Sequence, residues 1–190
     1  EKCFALDTAE AAFNRIYILG DSHAQSLMPM ALKAINLNEL DNSYVAKNVH
    51  IDSFYKILKG APSSDFEYVY KNLKPKDIVL LNWYSGKFET LENKDQEVLF
   101  NYINNFINVV TNNGAKIILI RDNPSLKTPI RIDRCIFQDK IGVKNSCMIS
   151  KESAIKKRSF QDRFWNKIFE KNYNKEVFIY DLSEEMCQDM

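Results

Sequence analysis

Hydrophobic positions along the chain alternate between short unbroken runs and stripes repeating about once per helical turn. Ile16, Ile18 and Leu19 form the first run, broken by Gly20-Asp21-Ser22-His23. From Ala24 the period changes: Leu27, Met30, Ala31 and Ala34 predict a helix reaching about Leu37, with Pro29 in its early turns, where proline costs least. A second strand is expected over Ser43 to Val49, then a loop or broken helix from His50 to Gly60-Ala61-Pro62. Ser63 or Ser64 caps a helix carrying Phe66, Val69, Tyr70 and Leu73 on one face, and Lys74-Pro75-Lys76 stops it. Ile78-Val79-Leu80-Leu81 has no polar alternation, as expected of a parallel strand buried on both faces, and Asn82-Trp83-Tyr84-Ser85-Gly86 leaves its C-terminal end. Asn93 opens a long helix with Val98, Tyr102, Ile103, Phe106, Val109 and Val110 as its stripe, closed by Asn112-Asn113-Gly114.

Ala115 to Ile120 reads as strand four, leaving through Arg121-Asp122-Asn123-Pro124. Ser125 to Ser150 has little periodicity; a loop of that length implies substrate contact or a disulfide brace. Ser150 caps a helix with Ile155, Phe160, Phe164, Ile168 and Phe169 on its apolar side, and Val177 to Tyr180 is strand five. The order is β-α-β-α-β-α-β-α-β. Short connections and right-handed crossovers then predict a parallel sheet with helices on both faces. Residues 1–14 read as an extension or linker packing on the body, and 15–190 as one domain.

The composition, 45% hydrophobic and 27% charged over 190 residues, is that of a globular domain with room for a core. A net charge of +1 gives no electrostatic argument for nucleic acid or an acidic partner. No apolar run approaches the ~18 residues of a membrane span. Four cysteines with two histidines and no CxxC pair point away from a metal site. Cys135 and Cys147 flank a polar stretch and read as a disulfide closing a long loop, worth about 3 kcal/mol if unstrained. An even cysteine count in loops favours an oxidising compartment, with four reduced cysteines as the alternative.

The chemistry-bearing stretch is Gly20-Asp21-Ser22-His23. A serine between a strand and a helix lies at the C-terminal edge of the sheet, where α/β sheets bind ligands, beside amides suited to an oxyanion. The competing reading is an ordinary N-cap, since Asp and Ser both cap helices. As a nucleophile, Ser22 needs a base, usually a histidine oriented by a carboxylate. His23 is adjacent, and a neighbour on a tight turn points elsewhere; it is expected to fix the turn or line the pocket. Asp21 is expected to hold the turn by local hydrogen bonds. His50 lies in a loop without a motif. Arg121-Asp122 reads as structural or pocket-forming, and Lys156-Lys157-Arg158 as a solvated helix face.

GDSH after a first strand resembles the block I motif of the SGNH (GDSL-like) hydrolases and acyltransferases. The GDSH form is most similar to the SGNH domain fused to acyltransferase-3 membrane proteins, which O-acetylate bacterial surface polysaccharides such as O-antigen. The resemblance implies a flavodoxin-like three-layer sandwich with a five-stranded parallel sheet in the order 2-1-3-4-5. It implies Ser22 as nucleophile and an oxyanion hole from the Ser22 N–H, Gly60 (or Asn48) and Asn82. The family block often reads Gly-x-Asn-Asp there, whereas this chain has Leu81-Asn82-Trp83-Tyr84; a tryptophan ends the strand in the fused branch, and Trp83 joins His23 in the pocket. The base and its carboxylate would come from a late Asp-x-x-His block. No histidine follows His50, and Asp181-Leu182-Ser183 is not that block. Either the chain is a degenerate relative, or the native protein continues and the block is expected within about 30 residues after Met190, with Cys187 pairing further on or with Cys3.

The implied function is transfer of an acetyl group to a glycan hydroxyl, by a periplasmic domain of an inner-membrane protein. The acyltransferase-3 transmembrane domain of the same polypeptide would be its partner. No bound cofactor or metal is implied; the donor would be acetyl-CoA on the cytoplasmic side. A carbohydrate esterase using the same site, and a non-catalytic glycan-binding domain, are the alternatives.

Overall fold

The computed structural model describes residues 14–36, 44–50, 54–60, 64–122 and 151–181. Five strands, β1 (Asn14–Gly20), β2 (Tyr44–His50), β3 (Ile78–Asn82), β4 (Lys116–Arg121) and β5 (Val177–Asp181), form one sheet in the order β2-β1-β3-β4-β5. Every neighbouring pair is parallel, with Gly20 opposite both His50 and Asn82. This is the flavodoxin-like order expected, and its C-terminal edge collects the ends of all five strands. β1 begins at Asn14, one residue before the predicted boundary.

Strand alternation divides the core in two. Tyr17, Leu19, Val79, Leu81, Ile117 and Leu119 face one layer, made by α3 (Phe54–Leu58), α4 (Ser64–Asn72), α5 (Gly86–Glu89), α6 (Asn93–Asn112) and α8 (Ser159–Lys171). Ile16, Ile18, Leu80 and Ile120 face the other, where α1 (Ser22–Gln25) and α2 (Met28–Asn36) supply Ala24, Leu27 and Ala31. Burial on both faces explains why β3 and β4 read as apolar runs without alternation. A further helix, α7 (Lys151–Lys157), precedes α8.

Several elements depart from the sequence pattern for local reasons. The helix expected from Ala24 to Leu37 is two, α1 and α2, separated by Ser26 and Leu27. Pro29 has no N–H for the Gln25 carbonyl, so a continuous helix would lose that bond and clash there. α3 is a short helix within the stretch read as a loop or broken helix, and α5 is a short helix in the segment that leaves β3. On α6 the buried face is Leu99, Ile103, Phe106, Ile107 and Val110, while Val98 is exposed.

The last predicted helix breaks at Arg158, and its buried face is Gln161, Phe164, Trp165 and Ile168; Ile155, Phe160 and Phe169 are exposed. The reason is Arg158. It is not part of a solvated basic face but 3% exposed, bonded to Asp181 of β5, Asp162 and the Asp122 carbonyl. A guanidinium placed inward needs these acceptors, and meeting them sets the rotation of α8. The four cysteines, with the Cys135–Cys147 pairing expected of them, and the stretch read as a loop from Ser125 to Ser150 lie outside the described residues. No helix among the described residues is long and apolar enough to cross a membrane.

Candidate functional site

The site begins with Gly20. Its φ is +145°, a conformation that L side chains rarely adopt, and a Cβ there would lie 1.7 Å from the Asn82 carbonyl oxygen and 2.7 Å from the Ala24 Cβ. Only glycine lets β1 turn sharply against the end of β3 at this point. The chain then enters α1 with Asp21 as N-cap. Asp21 Oδ1 accepts from the His23 N–H at 3.0 Å, and Oδ2 accepts from the Tyr84 N–H at 2.9 Å and pairs with Lys87 Nζ at 2.8 Å. Burial alone would raise the Asp21 pKa, but Lys87 and the two backbone amides outweigh it and hold the carboxyl below its ordinary value. The expected turn-holding role of Asp21 extends across the sheet, because its partners include the segment leaving β3 and α5.

Ser22 is the first residue of α1 and is exposed at the C-terminal edge of the sheet. Among the described residues neither its hydroxyl nor its N–H has a partner. The His23 and Gln25 amides are occupied by the Asp21 carboxylate and carbonyl. α1 has only four residues, so its dipole is weaker than that of the long helix expected from the sequence.

His23 reaches the residue that follows β4. Its Nδ1 lies 2.6 Å from Asp122 Oδ1, with 32% of the imidazole side chain and none of the carboxylate exposed. The ring also packs on Tyr84, centroid to centroid 4.9 Å. Asp122 is held in turn: its Oδ2 accepts from the Ser85 N–H at 2.7 Å, and its own N–H donates to Gln161 Oε1 at 2.8 Å. Gln161 Nε2 donates onward to the Trp83 carbonyl. The hydrogen bond that the His23 Nδ1–H donates to Asp122 raises the His23 pKa above the ordinary 6.5, against the opposing effect of burial.

That shift has a consequence for stability. The protonated His23–Asp122 pair contributes fully below the unfolded-state pKa of 6.5, and the contribution fades as pH rises through the higher folded-state value. Asp21 acts oppositely, losing its contribution as pH falls through its depressed pKa. Urea unfolding of the wild type and His23→Phe between about pH 5 and about pH 9 should therefore show a difference in midpoint that is largest at low pH and shrinks as pH rises. A difference independent of pH would contradict it.

The remaining sequence candidates fall in different places. Asn82 ends β3 fully buried, with neither amide atom partnered among the described residues. Alternation puts it on the face of Leu80, the one that α1 covers. Trp83 does not line the pocket. It is fully buried, stacked on Trp165 at 5.9 Å, with Phe54 and Phe88 against it, because the alternation of Val79 and Leu81, carried one residue past the end of β3, turns it to the larger core layer. Gly60 does not present a free amide: its N–H donates to the Ile57 carbonyl at 2.9 Å and closes α3. The Cα of Asn48 is paired with Ile18 within β2, short of the strand end, and His50 closes β2 opposite Gly20 rather than lying in a loop.

A model of the family described as SGNH domain (fused to AT3 domains) matches residues 1–190. The chain belongs to the SGNH domain family. It is of the kind found fused to AT3 domains, which places it among domains of acyl-transfer or hydrolase type. A search of curated proteins gave no match. In this SGNH domain, sequence reasoning missed Lys87 and Gln161 and gave Asp122 only a structural or pocket-forming part. Asp122 had a usable signal, since it directly follows β4 at the sheet edge where such folds bind ligands. Gln161 was legible only as a polar residue interrupting an apolar stripe.

Proposed function

We propose that this domain transfers an acetyl group to a hydroxyl of a bacterial surface glycan through Ser22. The supporting observation is an exposed serine whose hydroxyl and N–H have no partner among the described residues, on a strand–turn–helix at the sheet's C-terminal edge of a chain in the SGNH family. Ser22 Oγ would attack the acetyl carbonyl and carry the acyl group as an ester. The Ser22 N–H would donate to the developing oxyanion. Asn82 would be the second donor. A buried amide left unpaired costs about 1–3 kcal/mol, a cost relieved if a reaction oxygen becomes its partner. The general base in this reading is the histidine of an Asp-x-x-His block beyond Met190. An AT3 membrane domain of the same polypeptide would deliver the acetyl group from acetyl-CoA to the periplasmic side.

A fluorophosphonate probe should label Ser22 of the wild type, and p-nitrophenyl acetate should acylate it. With a hydroxyl-rich sugar added, acetyl should appear on the sugar at the expense of acetate. Hydrolysis indifferent to every acceptor would make the domain an esterase. Absence of labelling would leave Ser22 as an N-terminal helix residue and nothing more, and would sink the acyl-enzyme.

A further inference from the structure

The His23–Asp122 pair is built as a functional dyad and has no part in the reaction as described so far. The Asp122 carboxylate is fully buried and accepts from the Ser85 N–H, the Asp122 backbone N–H donates to Gln161, and the imidazole belongs to the residue next to the proposed nucleophile. A carboxylate only accepts hydrogen bonds, so the 2.6 Å contact assigns the proton to Nδ1. Nε2 of the neutral ring is then a hydrogen-bond acceptor. Among the described residues it has no partner, and the side chain remains 32% exposed. Tyr84, also exposed, walls one side of the ring. Consecutive helical residues point about 100° apart, so this imidazole is poorly directed to take the Ser22 proton itself. The part-exposed ring nevertheless lies at the C-terminal edge of the sheet, the edge at which Ser22 is exposed.

We propose that His23 binds the hydroxyl of the acyl acceptor through Nε2, and that Asp122 is the positioning residue that keeps this nitrogen an acceptor. The inference rests on the acyl-enzyme reading and adds to it a group that orients the attacking oxygen. Asp122→Asn tests it by inverting the tautomer. The asparagine carbonyl still accepts from Ser85, but its amide now donates to Nδ1, which moves the ring proton to Nε2 and leaves that atom a donor. Protonation does the same in the wild type. The groups facing His23 are Asp122 at the end of β4, Asp21 in the β1–α1 turn, Lys87 of α5 and the Tyr84 ring. The acceptor step should therefore fall as pH drops through the raised His23 pKa.

The experiment compares, in the full chain, the rate of Ser22 labelling by a fluorophosphonate with the rate at which acetyl-Ser22 is discharged to a sugar. His23→Phe and Asp122→Asn should lower the ratio of discharge to labelling by about tenfold, the factor for one lost orienting hydrogen bond, and should remove the acidic limb from the discharge profile. Nitrogen NMR of the imidazole should report Nδ1–H in the wild type and Nε2–H in Asp122→Asn. The wild-type Nε2 resonance should shift when a methyl glycoside is added. An unchanged ratio, or an Nε2 resonance that ignores the glycoside at saturating concentration, overturns the inference even where Ser22 labels normally. Failure of wild-type labelling overturns the acyl-enzyme reading instead, and the Nε2 response to the glycoside then decides the acceptor contact by itself.

Discussion

Ser22→Ala is expected to abolish acyl transfer while leaving the fold intact. Ser22 is exposed and its hydroxyl is bonded to nothing among the described residues, so removing one oxygen costs no internal interaction. The N-cap function belongs to Asp21, whose carboxylate takes the His23 amide. Stability should therefore stay within about 0.5 kcal/mol of the wild type, as for a surface substitution. Activity should fall by about a thousandfold or more, because a nucleophile has no substitute in a covalent mechanism. Thermal unfolding checks the first half; fluorophosphonate labelling and p-nitrophenyl acetate turnover check the second. A variant that keeps near-normal acetylation would exclude Ser22 as the acyl carrier.

Gly20→Ala should have the largest effect on the fold. The added methyl carbon would lie 1.7 Å from the Asn82 carbonyl oxygen, less than half a normal contact distance, at a φ of +145°. Neither neighbour is a flexible side-chain end: one is the β3 backbone and the other is the Cβ of Ala24 in α1. Relief requires β1 and β3 to separate at their C-terminal ends, where the Gly20–Asn82 pairing sits. The cost is expected at about 3–5 kcal/mol, about 10 °C or more in melting temperature for a chain of this length. Any folded fraction should also label poorly at Ser22, since the turn carrying the serine would be displaced. A melting temperature within a degree or two of wild type would show that the turn is looser than its geometry indicates.

The sheet and its order were largely legible because they depend on local pattern. Strands buried on both faces must be apolar at every position, and the runs at Ile16–Leu19, Ile78–Leu81 and Ile117–Ile120 meet that condition without reference to any partner. These three runs, with two more mixed strands at 44–50 and 177–181 and helical spacing between them, leave few parallel arrangements. The GDSH turn was legible for a similar reason: a glycine, a capping carboxylate and a serine at a change of period have a local meaning.

Long-range geometry decided the rest. Nothing local distinguishes Val98 from Leu99 on α6, and the sheet it packs on selects which is buried. Trp83 and Asn82 are neighbours in sequence, yet alternation sends one to the aromatic core with Trp165 and the other to the α1 face beside Gly20. Lys156-Lys157-Arg158 looks like one basic patch, but Asp162 and Asp181 draw Arg158 inside. The clearest case is His23. Its sequence says only that a histidine follows a serine, and its chemistry is set by a carboxylate 99 positions away, which the Ser85 N–H holds while Gln161 fixes the Asp122 backbone. Sequence by itself determined the strands, the turn and the serine, because those follow from period and backbone conformation. The imidazole's partner, tautomer and exposure required the tertiary structure, because a hydrogen bond between the ends of two different strands exists only once the sheet has brought those ends together.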